Sequence, residues 1–193
     1  MRSPPLIIAI LFFSVAAFAG EIREFDIKTI ERLGNELMRV CQQSDRGATN
    51  PVRKRAKQTA VAALKGKLFD IRYDYVVLDD PDGSGFLVYA LGQGSKPGDT
   101  VVHGHFRVTV SADGGKAERV DALSRSVDID SKDSPKVGDY KKWGFATNQI
   151  VGTRPVETLV YASNHMKMPI AVATPPNGQV WFIENGKIRK SDR

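Results

Sequence analysis

The sequence predicts an α+β fold: two N-terminal helices packed on one face of a mostly antiparallel, curved sheet of six or seven strands. Three observations carry that expectation. Two segments with helical spacing come first. From Leu68 onward the apolar residues recur every second position instead. Tight-turn signals then punctuate the rest of the chain.

The first helix is expected from Asp26 to Gln43. The Asp26 carboxylate suits an N-cap, because it can accept hydrogen bonds from the open amides of the first turn. Phe25 and Ile30 are spaced as a hydrophobic staple. Ile30, Leu33, Leu37 and Cys41 form one apolar stripe, and Asp45-Arg46-Gly47 marks the stop. The second helix is expected from Pro51 to Lys65. Asn50 is its cap, and Pro51 stands at the first helical position, where its missing N–H leaves nothing unpaired. Val52, Ala56, Ala60 and Leu64 make a narrow, alanine-rich stripe that permits close approach to another element.

Beyond Leu68, Phe69, Ile71, Tyr73, Tyr75 and Val77 alternate with polar residues as in a half-buried strand. The turn Asp79–Gly85 ends it. Phe86–Leu91 is apolar on both sides, like a central strand. Val101–Val110 reads as one further strand, turned at Ala112–Gly115 and paired back by Glu118–Val127. Asp128–Pro155 has no sustained period and reads as a long irregular excursion, anchored on the sheet by Trp143 or Phe145. Val156–Ala162, Pro169–Thr174 and Gln179–Glu184 read as three more strands. Asn185-Gly186 is a tight hairpin turn before Lys187-Ile188-Arg189.

Residues 1–19 have the form of a cleavable signal peptide. Arg2 supplies the charge, Leu6–Phe18 the apolar run, and Ala17-Phe18-Ala19 the small-residue cleavage pattern. Residues 20–193 are then expected to form a single domain, with no transmembrane segment left after cleavage. The expected compartment is exported, periplasmic or extracellular. One cysteine, Cys41, cannot form an internal bridge. It is expected to act as a small buried apolar residue, or as a thiol available for an intermolecular disulfide.

The net charge of +6 favours anionic partners but falls short of a nucleic-acid signature. The sequence has no nucleophile elbow, P-loop, H-E-x-x-H or dinucleotide fingerprint. Arg53, Lys54, Arg55 and Lys57 form a basic cluster at the start of the second helix, readable as a solvated face or as a patch for an anionic surface. Asp80, Asp82 and Gly83 resemble part of a calcium loop, but the closing Glu is missing and turn chemistry accounts for them.

The candidate ligand-binding residues are His103, His105 and Arg107. On a strand, residues two apart share a face, so these three are expected opposite Val102, Phe106, Val108 and Val110. If both helices cover the apolar side, the polar side is free. A pair of imidazoles beside a guanidinium suits an anionic or polar ligand and should bind more strongly in mild acid. The expected function is an exported, non-catalytic binding or interaction protein of the cell envelope, with no cofactor and no nucleic acid. Its expected partner is an anionic envelope polymer, a lipid headgroup or an acidic protein. The alternative is a metal-dependent hydrolase using His103 and His105, with His165 as a third ligand.

Overall fold

The computed structural model describes residues 22–43, 50–131 and 144–192. The signal-peptide reading of residues 1–19 and the proposed anchor Trp143 lie outside them. Among the described residues there are three helices and ten strands, mostly antiparallel, which is an α+β fold with one more helix and more strands than the sequence suggested.

The two N-terminal helices form where their caps place them. In α1 (Ile27–Gln42), Asp26 accepts from the Thr29 N–H at 3.1 Å, and Phe25 and Ile30 are buried in the same core. In α2 (Pro51–Ala63), the Asn50 side chain accepts from the Val52 N–H at 2.9 Å, with Pro51 opening the helix.

The first sheet is antiparallel, in the order β1 (Arg72–Asp79), β2 (Phe86–Gln93), β4 (Phe106–Val110), β5 (Ala117–Ala122). Both its faces are covered. Ala56 and Ala60 of α2 pack with Val88, Ala90, Phe106, Val108 and Val110 on one side. On the other side, Val76, Leu78, Leu87, Tyr89 and Leu91 meet α1 and the third helix, α3 (Glu157–Met166). The two N-terminal helices therefore separate onto opposite faces of the sheet, instead of sharing one.

The expected strand Val101–Val110 is two strands. β3 (Thr100–His103) leaves the first sheet and pairs with β6 (Asp128–Asp130). The break falls at Gly104, whose φ of +112° is a conformation that side-chain-bearing residues rarely adopt. Its N–H donates to Ser124 Oγ at 2.7 Å, and its carbonyl accepts from the Tyr73 hydroxyl at 2.9 Å.

A second sheet has the order β10 (Lys187–Lys190), β9 (Gln179–Glu184), β8 (Ile170–Thr174), β7 (Phe145–Asn148). Asn185 and Gly186 both have positive φ in the β9–β10 turn, as expected of Asn-Gly. The pairing of β7 with β8 is parallel, and α3 is the crossover between them. Val156–Ala162 is thus mostly helix instead of a strand. Every residue from Glu157 to Ser163 is buried, so α3 has no polar stripe to reveal a helical period. The nominally irregular stretch contains two short strands, β6 and β7, and Phe145 packs against the main core. Cys41 is half-buried against the same core.

The helices α1 and α3 pack closely at Gly34. A Cβ there would meet the Val160 side chain and would come within 2.6 Å of the Glu157 carbonyl oxygen. Alanine is the better helix former by about 1 kcal/mol, but overpacking against backbone costs about 1–3 kcal/mol or more. Gly34→Ala is therefore expected to lower unfolding free energy in urea titration. A stabilised variant would mean that the crossing is looser than described.

Candidate functional site

Arg107 lies at the middle of β4 and is fully buried. It faces away from α2, as the alternation requires, but that face is the interior between the sheet and α3. Its Nη1 donates to Glu157 Oε1 at 2.6 Å, and its Nη2 donates to Asp121 Oδ2 at 2.8 Å. Nη2 also donates to the Arg23 carbonyl. The Tyr89 hydroxyl donates to the same Glu157 oxygen at 2.8 Å. Burial alone disfavours a charged guanidinium, but the carboxylates of Glu157 and Asp121 reverse that and hold it cationic beyond its ordinary range. Two guanidiniums lie over the Phe25 ring, Arg107 at 4.7 Å and Arg23 at 4.8 Å from its centre.

Arg23 also explains the acidic turn. It grips Asp80 with two hydrogen bonds of 2.6 and 2.7 Å and reaches Asp82 at 3.0 Å. The cation held by this turn is a guanidinium, in place of calcium.

His105 is also interior. Its Nδ1 accepts from the Gly92 N–H at 3.0 Å, so Nε2 carries the proton and donates to the Val101 carbonyl at 3.1 Å. Both ring nitrogens are occupied by main chain, which rules the ring out as a metal ligand in this arrangement. Burial pushes its pKa down to about 4.

His103 alone of the three reaches a cleft. This open depression of about 360 Å³ is bounded by β3, β6, β7 and the 124–126 turn, and is lined by His103, Ser124, Asp128, Thr147, Asn148 and Gln149 among others. His103 Nε2 and Thr147 Oγ1 share a hydrogen bond of 2.7 Å. Burial lowers the imidazole's pKa, and the nearby Asp128 carboxylate only partly opposes that. Gln149 donates through Nε2 to the Leu123 carbonyl at 3.2 Å, while its buried Oε1 has no hydrogen-bond partner among the described residues.

The expected trio is thus divided: the free polar face does not exist, because α1 and α3 cover it, and Arg107 and His105 serve the interior. His165, placed by sequence in a distant turn, lies at the end of α3. There its Nδ1 meets Thr100 Oγ1 at 2.8 Å and its ring stacks on Tyr161, whose ring in turn meets the edge of His105. The three histidines come into one region, yet each has a separate partner. No group of three potential ligands fit to hold a metal occurs among the described residues.

Sequence reasoning missed Ser124, Thr147, Asn148 and Gln149. The run Thr147-Asn148-Gln149 was the available signal, hidden in a stretch without periodicity. The basic cluster of α2 is partly committed within the molecule. Arg53 pairs with Asp79 and donates to the Val77 carbonyl, and Lys57 lies over the Tyr75 ring. No protein-family model, curated protein or solved structure matches the chain.

Replacing Arg107 with Leu strands two buried carboxylates. Arg107→Leu is expected to cost about 3–5 kcal/mol in urea unfolding. Neutralising both partners as well, in Arg107→Leu/Asp121→Asn/Glu157→Gln, should recover part of that loss. Equal instability of the single and triple variants would show that the charges are not what makes the site costly to break.

The folded pKa of His105 lies below its unfolded value of about 6.5. The unfolded chain therefore binds the extra proton first on acidification. Stability from this group is complete above about pH 6.5 and is lost as pH falls toward about 4, at no more than about 1.4 kcal/mol per pH unit. His105→Gln should flatten the stability profile through that window. An unchanged slope would assign acid sensitivity to other groups.

Proposed function

We propose that this chain is an exported, non-catalytic binding protein of the cell envelope, and that its ligand site is the polar cleft at His103. The signal-like residues 1–19 and the net charge of +6 support the compartment and the expectation of an envelope partner. The observation that carries the site is the convergence of polar side chains from separate elements on one open depression: His103 from β3, Ser124 from the turn after β5, Asp128 from β6, and Thr147 and Asn148 from β7. The Gln149 acceptor without a partner supports the same reading, since buried polar atoms are normally satisfied. Among the described residues no membrane-spanning helix is present.

Two features of the expectation from sequence change. The ligand surface moves from His103, His105 and Arg107 together to His103 and the cleft around it. The expected strengthening of binding in mild acid is reduced, because the His103 imidazole stays neutral to lower pH than an exposed one. The metal-hydrolase alternative loses its ligand pair, since both nitrogens of His105 are engaged.

The test fills the cleft without touching its hydrogen bonds. Ser126 is exposed at its rim. Peptidoglycan fragments, anionic glycans, phospholipid headgroups and short peptides are titrated against wild type and Ser126→Trp. A ligand of this cleft is expected to lose about tenfold or more in affinity on Ser126→Trp, with the thermal midpoint unchanged. Because burial lowers the His103 pKa, the ligand's affinity should rise less on mild acidification than an exposed imidazole would give. A ligand bound equally by both proteins puts the site elsewhere, and turnover of the bound ligand makes the protein an enzyme.

A further inference from the structure

Among the described residues, the strand β7 borders the cleft and is the last strand of its sheet. The N–H groups of Phe145 and Gln149 donate to Pro169 and Ala173 carbonyls at 2.9 and 2.8 Å. Main-chain groups alternate sides along a strand, so those of Ala146 and Asn148 point away from β8. Both residues are exposed. Ile150, the next in that outward series, is 40% exposed, one of three large hydrophobic residues so placed among the described residues.

The other exposed strand edges are guarded. β10 carries Lys187, Arg189 and Lys190. β5 carries Glu118 and Arg119 and faces a register shift in β4. β1 carries Arg72, Asp74 and Asp79, and the Arg53 side chain caps its Val77 carbonyl. β6 carries Asp128 and Asp130, while β3 is buried. β7 reads Phe-Ala-Thr-Asn, with no charge and no proline, and its register with β8 is uninterrupted.

We propose that the partner is an extended peptide segment of another protein, added as a strand to the outer edge of β7 and continuing into the cleft. This rests on the cleft being the binding site and names what fills it. Main-chain pairing with Ala146 and Asn148 holds the segment, and one alternate set of its side chains enters the cleft, where Ile150 is part of the lining. The absence of charge on β7 selects uncharged, β-branched residues opposite it. A second copy of this chain is the poorer occupant. Self-pairing of a four-residue strand covers far less than the roughly 1,200–2,000 Å² of a stable interface.

A random-peptide phage library is panned on wild type, with Asn148→Pro as the competing bait. That proline removes one outward N–H and leaves the ladder to β8 intact. Synthetic versions of the enriched peptides are then measured by fluorescence anisotropy. They should alternate uncharged β-branched residues. Affinity should fall about tenfold or more on Asn148→Pro, and clearly less on Asn148→Ala, which loses the cleft-lining side chain but keeps the outward N–H. N-methylation of one alternate set of their residues, and not of the other, should abolish binding to wild type. This last comparison decides the matter even if the proline variant fails to fold. Enrichment no better than on the proline bait, or indifference to both methylation patterns, overturns the proposal. So does a wild-type dimer in solution that Asn148→Pro dissolves, which would give the edge to a second copy. Peptides blocked by Ser126→Trp yet indifferent to Asn148→Pro would keep the cleft and remove the strand pairing.

Discussion

The buried guanidinium of Arg107 is the constraint around which the molecule is arranged. One side chain on β4 ties together β5 through Asp121, α3 through Glu157 and the N-terminal segment through the Arg23 carbonyl. Such a cation in the interior is stable only while all its partners are present. Glu157 is well placed for its part. It stands in the first turn of α3, where the helix dipole favours a carboxylate, and it takes a second hydrogen bond from Tyr89. The geometry fixes where α3 begins and which face it turns to the sheet. A hydrophobic side chain at position 107 would give the same layers far less orientation.

That arrangement determines where a ligand can reach. With α2 on one face of the first sheet and α1 and α3 on the other, no open sheet surface remains on β4. Access shifts to the place where β3 departs at Gly104 and approaches β7. His103 stands at that departure, and the neighbouring His105 already faces inward. A difference of two residues separates an interior ring from one at the cleft.

Local signals in the sequence were reliable where the chemistry was local. The Asp26 and Asn50 caps, the Asn185-Gly186 turn and the strands β8 and β9 all depend on residues within a few positions of one another. The failures depend on distant partners. Arg107 reads as a surface residue because its carboxylates lie 14 and 50 positions away. α3 reads as a strand because it is enclosed on all sides and shows no polar stripe. β3 and β4 read as one strand because the alternation continues across Gly104, although the backbone turns there. Within the cleft only His103 was legible, since Ser124, Asp128 and Thr147 come together through tertiary contacts alone.

The parallel pairing of β7 with β8 has a kinetic consequence. An antiparallel neighbour can zip up from a hairpin, as β9 does with β10. β7 cannot, because α3 must form and dock before its ladder can close. Its loop-closure entropy is spent before any hydrogen bond is gained, which places β7 among the last elements to assemble. Its short ladder is reinforced by side chains: Phe145 packs on the core, Thr147 bonds His103, and Gln149 at its end bonds the Leu123 carbonyl. The order of events in folding thus ends at the strand that borders the cleft, so the cleft is completed only after α3 has docked.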